Sequence, residues 1–337
     1  MKFDSLLSFA AQLGALTAIG LLASGTGIAA SSTQRIVADY PYKPIRIVDG
    51  SVAGNLNDYL ARVIGQKLTE RFGQPVIIEN HPGAAGNIGA NIAAKAAPDG
   101  YTMFIALSSW MASSVSLFPN LNYNLMKDFA FVTLVGSGNF VLVVGPAVPA
   151  KSVQELMALA RSKPDQVRYG SAGVGSPLHL GMELLNMMAG VRMAHVPYKS
   201  SALMTPALVA DEVQAGFSGF GTAMPLVKAG RLSALAVTSA RRAVAYPELP
   251  TIAESGFPGF DVTPWYGLIA PAAAPPAIIK GLNSEIIKIL QLPEVKASFA
   301  SQGVEAIGST PERFKELMQA EVEVWAKVIK TANIRVE

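Results

Sequence analysis

The chain has no cysteine. That absence removes thiol nucleophiles, disulfides, thiolate metal sites and anchoring through a lipidated cysteine. Charge is sparse too: 15% of the 337 residues are charged, and 27 Lys and Arg against 24 Asp and Glu leave a net +3. No block of Lys or Arg traces a nucleic-acid backbone, so nucleic acid is not an expected partner. Only three histidines occur, His81, His179 and His195. His179 and Glu183 stand at i, i+4, but neither a third ligand nor an HExxH pattern accompanies them, so no metal is expected. No serine sits in a G-x-S-x-G elbow, and Ser171 or Ser176 would need His179 placed by a third group that the sequence does not show. Gly83-x-x-Gly86-x-x-Gly89 is not the G-x-G-x-x-G spacing, and no Walker lysine follows it. Neither a cofactor nor a catalytic residue is expected.

Half of the residues are hydrophobic, and the length suggests two domains with full cores. After Lys2 and Asp4 no charge appears until Arg35, and Leu6 to Leu22 is apolar before small residues run through Ala29-Ala30. Gly14, Gly20 and Ser24 interrupt it as a membrane span. The pattern predicts a secretory signal over residues 1–30, cleaved near Ala30, and a linker over 31–43.

The chain is organised around Asn80-His81-Pro82-Gly83-Ala84-Ala85-Gly86-Asn87-Ile88-Gly89. A β-branched run at 76–78 precedes it and an Ala-rich segment at 90–97 follows, which predicts a strand, a glycine turn and a helix N-terminus. Free N–H groups of a first helical turn, with the helix dipole, suit a small anion, phosphate or carboxylate. The same rhythm recurs. Strand 45–48 runs into loop 50–58 and a helix with Leu60, Ile64, Leu68 and Phe72 on one face, stopped by Gly73 and Pro75; Asn57 is its expected N-cap. Strand 102–107 ends in Ser108-Ser109-Trp110. Three strands ending in such loops predict βαβαβ and a parallel sheet with ligand groups at its carboxyl ends.

A second half repeats the pattern. Strands are predicted at 129–135, 140–144, 167–169, 194–198, 213–217 and 232–238. Helices are predicted from Ser152, with Glu155 completing a capping box, and over 178–188. Trp265 to Ala270 reads as a strand crossing back to the first half, and helices at 276–290, 294–302 and 311–331 close the chain, the last capped by Thr310. The expected architecture is α/β with two similar lobes, each a sheet flanked by helices. The loops at 50–58, 82–88, 108–113, 171–176, 199–201 and 218–222 are rich in backbone N–H and hydroxyl groups. They are suited to holding a carboxylate rather than to breaking a bond.

These residues also carry a likeness. Pro44-Ile45-Arg46-Ile47-Val48, Gly54 with Asp58 and Arg62, Asn80 to Gly89, Pro98-Asp99-Gly100-Tyr101-Thr102 and Lys127-Asp128-Phe129 form one series. Tyr169 through Leu180, His195-Val196-Pro197-Tyr198-Lys199, Lys228-Ala229-Gly230 and Pro250-Thr251-Ile252-Ala253-Glu254 form another. Together they resemble the Bug-type extracytoplasmic solute receptors, the substrate-binding proteins of tripartite tricarboxylate transporters, across residues 40–333. The resemblance implies a periplasmic, type II two-lobe (Venus flytrap) binding protein with a small carboxylate in the cleft and an integral membrane permease as partner. Lobe 1 would be 31–138 plus 262–337 and lobe 2 would be 139–261, with hinges near 138–140 and 261–265. By position it implies ligand contacts at Gly54, Asn55, Asn57, Asp58, Gly83, Ala84, Ala85, Gly86, Ser108, Ser109 and Trp110 in lobe 1. In lobe 2 it implies Ser171, Gly173, Gly175, Ser176, Tyr198, Lys199, Ser200, Gly219 and Phe220.

Three loops depart from the family pattern. In the first ligand loop Asn55 replaces the second glycine and Asn57 the hydroxyl before Asp58, Trp110 and Met111 follow the third strand, and Ser200 stands where glycine is usual. Trp110, Phe140, Phe217 and Phe220 favour an aromatic or bulky carboxylate over citrate or succinate. The expected state is a monomer. The alternatives are a binding protein that reports to a sensor kinase without a transporter, and an exported hydrolase using His81 or His179.

Overall fold

The computed structural model describes residues 40–336, so the expected signal over 1–30 and most of the linker lie outside the described residues. The compact unit that holds both sheets begins at Lys43. It opens with β1 (Ile45–Asp49), α1 (Leu56–Phe72), β2 (Val76–Asn80), a 3-10 turn (Ala84–Gly86), α2 (Asn87–Ala94), β3 (Thr102–Leu107) and α3 (Ser108–Leu117). Then β4 (Phe129–Gly138) passes directly into β5 (Phe140–Val144). Next come α4 (Val153–Ser162), β6 (Arg168–Ser171), α5 (Pro177–Ala189), β7 (Ala194–Pro197), α6 (Ser201–Val209), β8 (Ala215–Gly219), α7 (Phe220–Lys228) and β9 (Ser233–Val237). The chain returns through β10 (Trp265–Pro271) and ends with α8 (Pro276–Leu290), α9 (Pro293–Ser301), β11 (Val304–Glu305) and α10 (Pro311–Thr331).

The first sheet runs β11-β4-β10-β3-β1-β2 and the second β7-β6-β8-β5-β9. β1 is parallel to β2 and β3, and β6 is parallel to β7 and β8. The expected parallel arrangement stops there. β10 is antiparallel to β3 and β4, and β5 is antiparallel to β8 and β9, because these strands arrive directly from the other lobe instead of through a helical crossover. The two crossings lie side by side. Gly138 N–H donates to Pro264 O at 2.9 Å, and buried Thr238 ties the other sides together. Its N–H donates to Phe140 O at 3.0 Å, its hydroxyl donates to Val262 O at 2.8 Å, and its carbonyl accepts from Val262 N–H at 2.9 Å.

Several local expectations are corrected. Asn55, not Asn57, caps α1: its backbone is extended (φ −72, ψ 164) and its side chain accepts from Leu56 N–H, while Asn57 lies buried in the first turn. Ser152 caps α4, but the Glu155 carboxylate accepts from Lys151 N–H rather than from its own cap, so the reciprocal bond lands one residue earlier. Ser108 to Ser113 is not a loop but the start of α3. The expected loops at 199–201 and 218–222 run into helices over 201–209 and 220–228 that continue through Pro206 and Pro225; their hydrophobic sides pack against the second sheet, and that packing outweighs the lost hydrogen bonds.

Candidate functional site: a cleft walled by helix N-termini

The first lobe builds its site from three strand-to-helix turns. After β1 the chain reaches Gly50, where a Cβ would fall 2.6 Å from the Cα and O of Gly86, so Gly50 must be bare for the two turns to meet. Gly83 (φ 131), Ala84 (φ 47), Ala85 (φ 54) and Gly86 (φ 85) all carry positive φ, and this tight turn aims the start of α2. Neither α2 nor α3 receives a side-chain cap, although Asn87 N–H at the start of α2 already donates to Ala84 O. Gly50, Asn57, Ala85, Gly86, Phe104, Leu107, Trp110 and Met111 line a cavity of about 10 Å³ beneath these turns, room for roughly one water.

Some of the expected contact residues are occupied in holding the loops. Asp58 accepts from Gly54 N–H at 2.9 Å and from Asn80 Nδ2 at 3.0 Å, and pairs with Arg62 at 2.8 Å. Burial pulls its carboxyl upward, but Arg62, the Gly54 amide and Asn80 outweigh that and hold it below the ordinary range. Asp49, by contrast, is pushed up by burial. Ser108 Oγ donates to Glu321 Oε1 at 2.8 Å and accepts from Trp265 N–H at 3.3 Å, which joins α3, α10 and the returning crossing. Glu321 also accepts from Trp325 Nε1 at 3.3 Å. Burial pushes its carboxyl up to about 7, against the pull of these two hydrogen bonds. Ser109 Oγ and Trp110 Nε1 are buried and have no hydrogen-bond partner among the described residues.

In the second lobe a polar stack holds the 171–176 loop. Ser171 Oγ and His195 Nε2 are 2.7 Å apart, Gly173 N–H donates to Ser171 Oγ at 3.1 Å, and Gly175 N–H donates to His179 Nδ1 at 3.0 Å. The His179 and His195 rings stack at 3.9 Å, with Tyr169 beyond at 5.0 Å from His195. Burial, with His195 beside it, drives His179 down to about 3, and burial alone drives His195 down to about 4. Both are neutral rings. Glu183 orients neither of them, because it accepts from Tyr169 OH at 2.5 Å. Ser171 therefore has a histidine but no acid behind it, and the described residues hold no cluster of three metal-ligating side chains. His81 lies 3.4 Å from Glu79, away from both.

Ser176 and Ser200 cap α5 and α6 through their hydroxyls, Tyr198 is half-buried and Lys199 is exposed. Gly219 leads into α7 without a side-chain cap. Phe220 faces inward, 4% exposed and stacked on Tyr246 at 5.1 Å, and Phe217 is fully buried against Phe260. Of the four aromatics, only Trp110 lines the cavity. The lobes touch where α3 meets the 171–176 loop: Ser113 Oγ lies 3.5 Å from Gly175 O. Sequence reasoning missed Glu321 and Thr238. Glu321 stands 213 residues from Ser108, and no local pattern links the two.

A two-lobed α/β fold with uncapped helix N-termini facing a cleft defines a solute-binding receptor. The chain matches the Tripartite tricarboxylate transporter family receptor over residues 60–334, and it belongs to that family of periplasmic solute-binding receptors. It is similar to Protein BugT of Bordetella pertussis, with 33% identity over 324 residues, 96% of this chain and 98% of that protein. Among solved structures it is similar to R. palustris Rpa4515 with adipate, at 34% identity and TM-score 0.80, covering 88% of this chain and 99% of that one. It is also similar to MatC from Rhodopseudomonas palustris with bound malate, at 30% identity and TM-score 0.77, covering 86% and 100%.

Proposed function

We propose that this receptor captures a small organic carboxylate between a lobe of residues 31–138 plus 262–337 and a lobe of residues 139–261, and delivers it to the membrane permease of a tripartite transporter. The reading rests chiefly on the starts of α2 and α3, neither capped by a side chain, with Ala85 and Gly86 before the one and Trp110 and Met111 in the other lining one cavity. One such helix N-terminus contributes about 0.3–1 kcal/mol to an anion at the surface and up to about 2 kcal/mol when partly buried. Two of them, closed over by a second lobe, suit the micromolar range at about −8 kcal/mol. The adipate and malate bound by the two relatives belong to this class of ligand.

The chain acts by binding and closure, not by turnover. Ser171 is already engaged by Gly173 and His195, and no carboxylate among the described residues hydrogen-bonds that histidine. Closure turns about the paired crossings at 138–140 and 261–265. It needs ligand contacts from both lobes, because a ligand with equal affinity for open and closed forms shifts neither. Signal cleavage near Ala30 releases the mature chain into the periplasm.

The test is a thermal-shift screen of residues 31–337, unfolded and refolded to strip carried-over ligand, against aliphatic, aromatic and amino-acid carboxylates. A midpoint that climbs with ligand concentration supports the reading. No shift with any carboxylate would sink it.

A further inference from the structure

We propose that this receptor captures a proton together with its anion, and that Glu321 is the group that takes the proton. The inference rests on the carboxylate-receptor reading and goes beyond it, since it adds a second solute to the first. Glu321 belongs to α10, yet its carboxylate reaches the start of α3. Oε1 accepts from the hydroxyl of Ser108, the first residue of that helix, at 2.8 Å, and Oε2 accepts from Trp325 Nε1 at 3.3 Å. Leu107 before Ser108, with Trp110 and Met111 after it, lines the first-lobe cavity, and α3 has no side-chain cap of its own. The acid therefore sits at the helix end that the captured carboxylate would use. Two negative charges at one helix start repel, and binding of the second favours a proton on the first.

Among the described residues no cation pairs with Glu321. α10 packs on α3, β4 and α5. α3 and β4 carry no ionisable side chain; α5 carries His179 and Glu183, which are engaged by Gly175 N–H and Tyr169 OH. β10 adds only buried Tyr266. The crossing before it adds Asp261, a like charge that disfavours ionisation further. On α10 itself Leu317, Met318, Val324 and Trp325 stand three and four residues away. Burial in these surroundings already lifts the carboxyl to about 7, where one more anion tips it. Asp49, also raised by burial, accepts from Ser51 N–H, Ser51 Oγ and Asn80 Nδ2, three donors that favour its ionised form.

The hydrogen bonds at Glu321 suit either state. A hydroxyl both donates and accepts, so protonated Glu321 keeps its contact by donating to Ser108 Oγ, whose other lone pair holds Trp265 N–H at 3.3 Å. The proton comes from solvent, and no bond of the ligand changes.

The test titrates residues 31–337 calorimetrically near pH 7.5, in PIPES and in Tris, whose ionisation enthalpies differ widely. The probes are adipate, malate, benzoate and the strongest hit of the thermal-shift screen. The difference in heat between buffers counts the protons taken up. Wild type should take up about half a proton or more per acid bound, and Kd should rise severalfold from pH 7 to 8. Glu321→Gln carries a neutral amide and should lose both effects while its midpoint still climbs with ligand. His81→Gln removes the imidazole that follows β2 and should keep both. In wild type, with no variant needed, an infrared band of a protonated carboxyl should grow on binding. No uptake or no band in wild type, uptake that survives Glu321→Gln, or uptake lost in His81→Gln would overturn the role of Glu321 and leave the carboxylate receptor standing. Binding of no probe, with no hit in the screen, would overturn the reading beneath it and this proposal with it.

Discussion

Gly175 of the second lobe sits against Leu117 of the first so closely that a Cβ on the glycine would lie 2.4 Å from Leu117 Cδ1. The glycine also holds φ at +77, where a side chain is strained. This is a contact between lobes, so its loss falls on closure more than on either fold. Gly175→Ala should weaken binding of the acid identified by thermal shift by tenfold or more. The unliganded protein should lose only about 1 kcal/mol. Adding Leu117→Ala should restore part of the affinity, since the methyl then has somewhere to go. Titration of the single and double variants checks this, and additive losses would refute it.

Glu321 gives stability a pH dependence opposite to that of an ion-paired acid. Its carboxyl titrates near 7 in the fold, against an ordinary 4.5. Between those values the folded state binds the extra proton, so this group's contribution falls as pH rises through the window. Glu321→Gln removes the ionisation and should raise stability at pH 8 by about 2 kcal/mol, with little difference at pH 4.5. Denaturant unfolding at the two pH values measures it.

The stacked His179 and His195 act in the other direction. Their rings titrate near 3 and 4 in the fold, below the ordinary 6.5, so between about 4 and 6.5 the unfolded chain binds more protons. The stability they supply is fully present above about pH 7 and is lost as pH falls toward 4. Each ring contributes a slope of about 1.4 kcal/mol per pH unit inside that window. Glu321 opposes one of them, so Glu321→Gln should steepen the loss of stability on acidification, and His195→Gln should flatten it. A thermal-midpoint series from pH 8 to 4 separates the three chains.

The bare backbone contact between Gly50 and Gly86 makes a prediction with no charge in it. A Cβ at Gly50 meets Gly86 Cα and O at 2.6 Å, and backbone cannot swing aside as a side chain can. Gly50→Ala should cost about 2 kcal/mol or more and abolish carboxylate binding, because the turns that aim α1 and α2 are pushed apart. A control, Gly281→Ala on the exposed side of α8, has open space and should gain a few tenths of a kcal/mol. Urea midpoints and one titration test both.

Much of this protein was legible one strand and one turn at a time. The apolar runs at 45–48, 76–78 and 102–107 are the three parallel strands, and the glycine turn at 83–86 enters a helix. Where reading failed, side-chain packing had overruled local signals. Serines after β3 look like loop, yet they begin α3 because Ser108 finds Glu321 and Met111, Ala112 and Leu117 join the core. The loops expected at 199–201 and 218–222 give way to helices that continue through Pro206 and Pro225 because their apolar sides face the sheet. Phe220 looks like cleft surface and is core, a matter of one residue's direction at a helix start.

The sequence by itself determined the family, the α/β rhythm and the positions of the turns, since periodicity, glycine and capping chemistry act over a few residues. Only the tertiary structure decided which polar groups remain free for a ligand. Gly175 N–H is spent on His179, Asp58 on Arg62 and Ser108 on Glu321, whereas Trp110 Nε1 has no hydrogen-bond partner among the described residues. A hydrogen bond is satisfied by whatever the fold brings within about 3 Å, and that neighbour can stand hundreds of residues away in the chain.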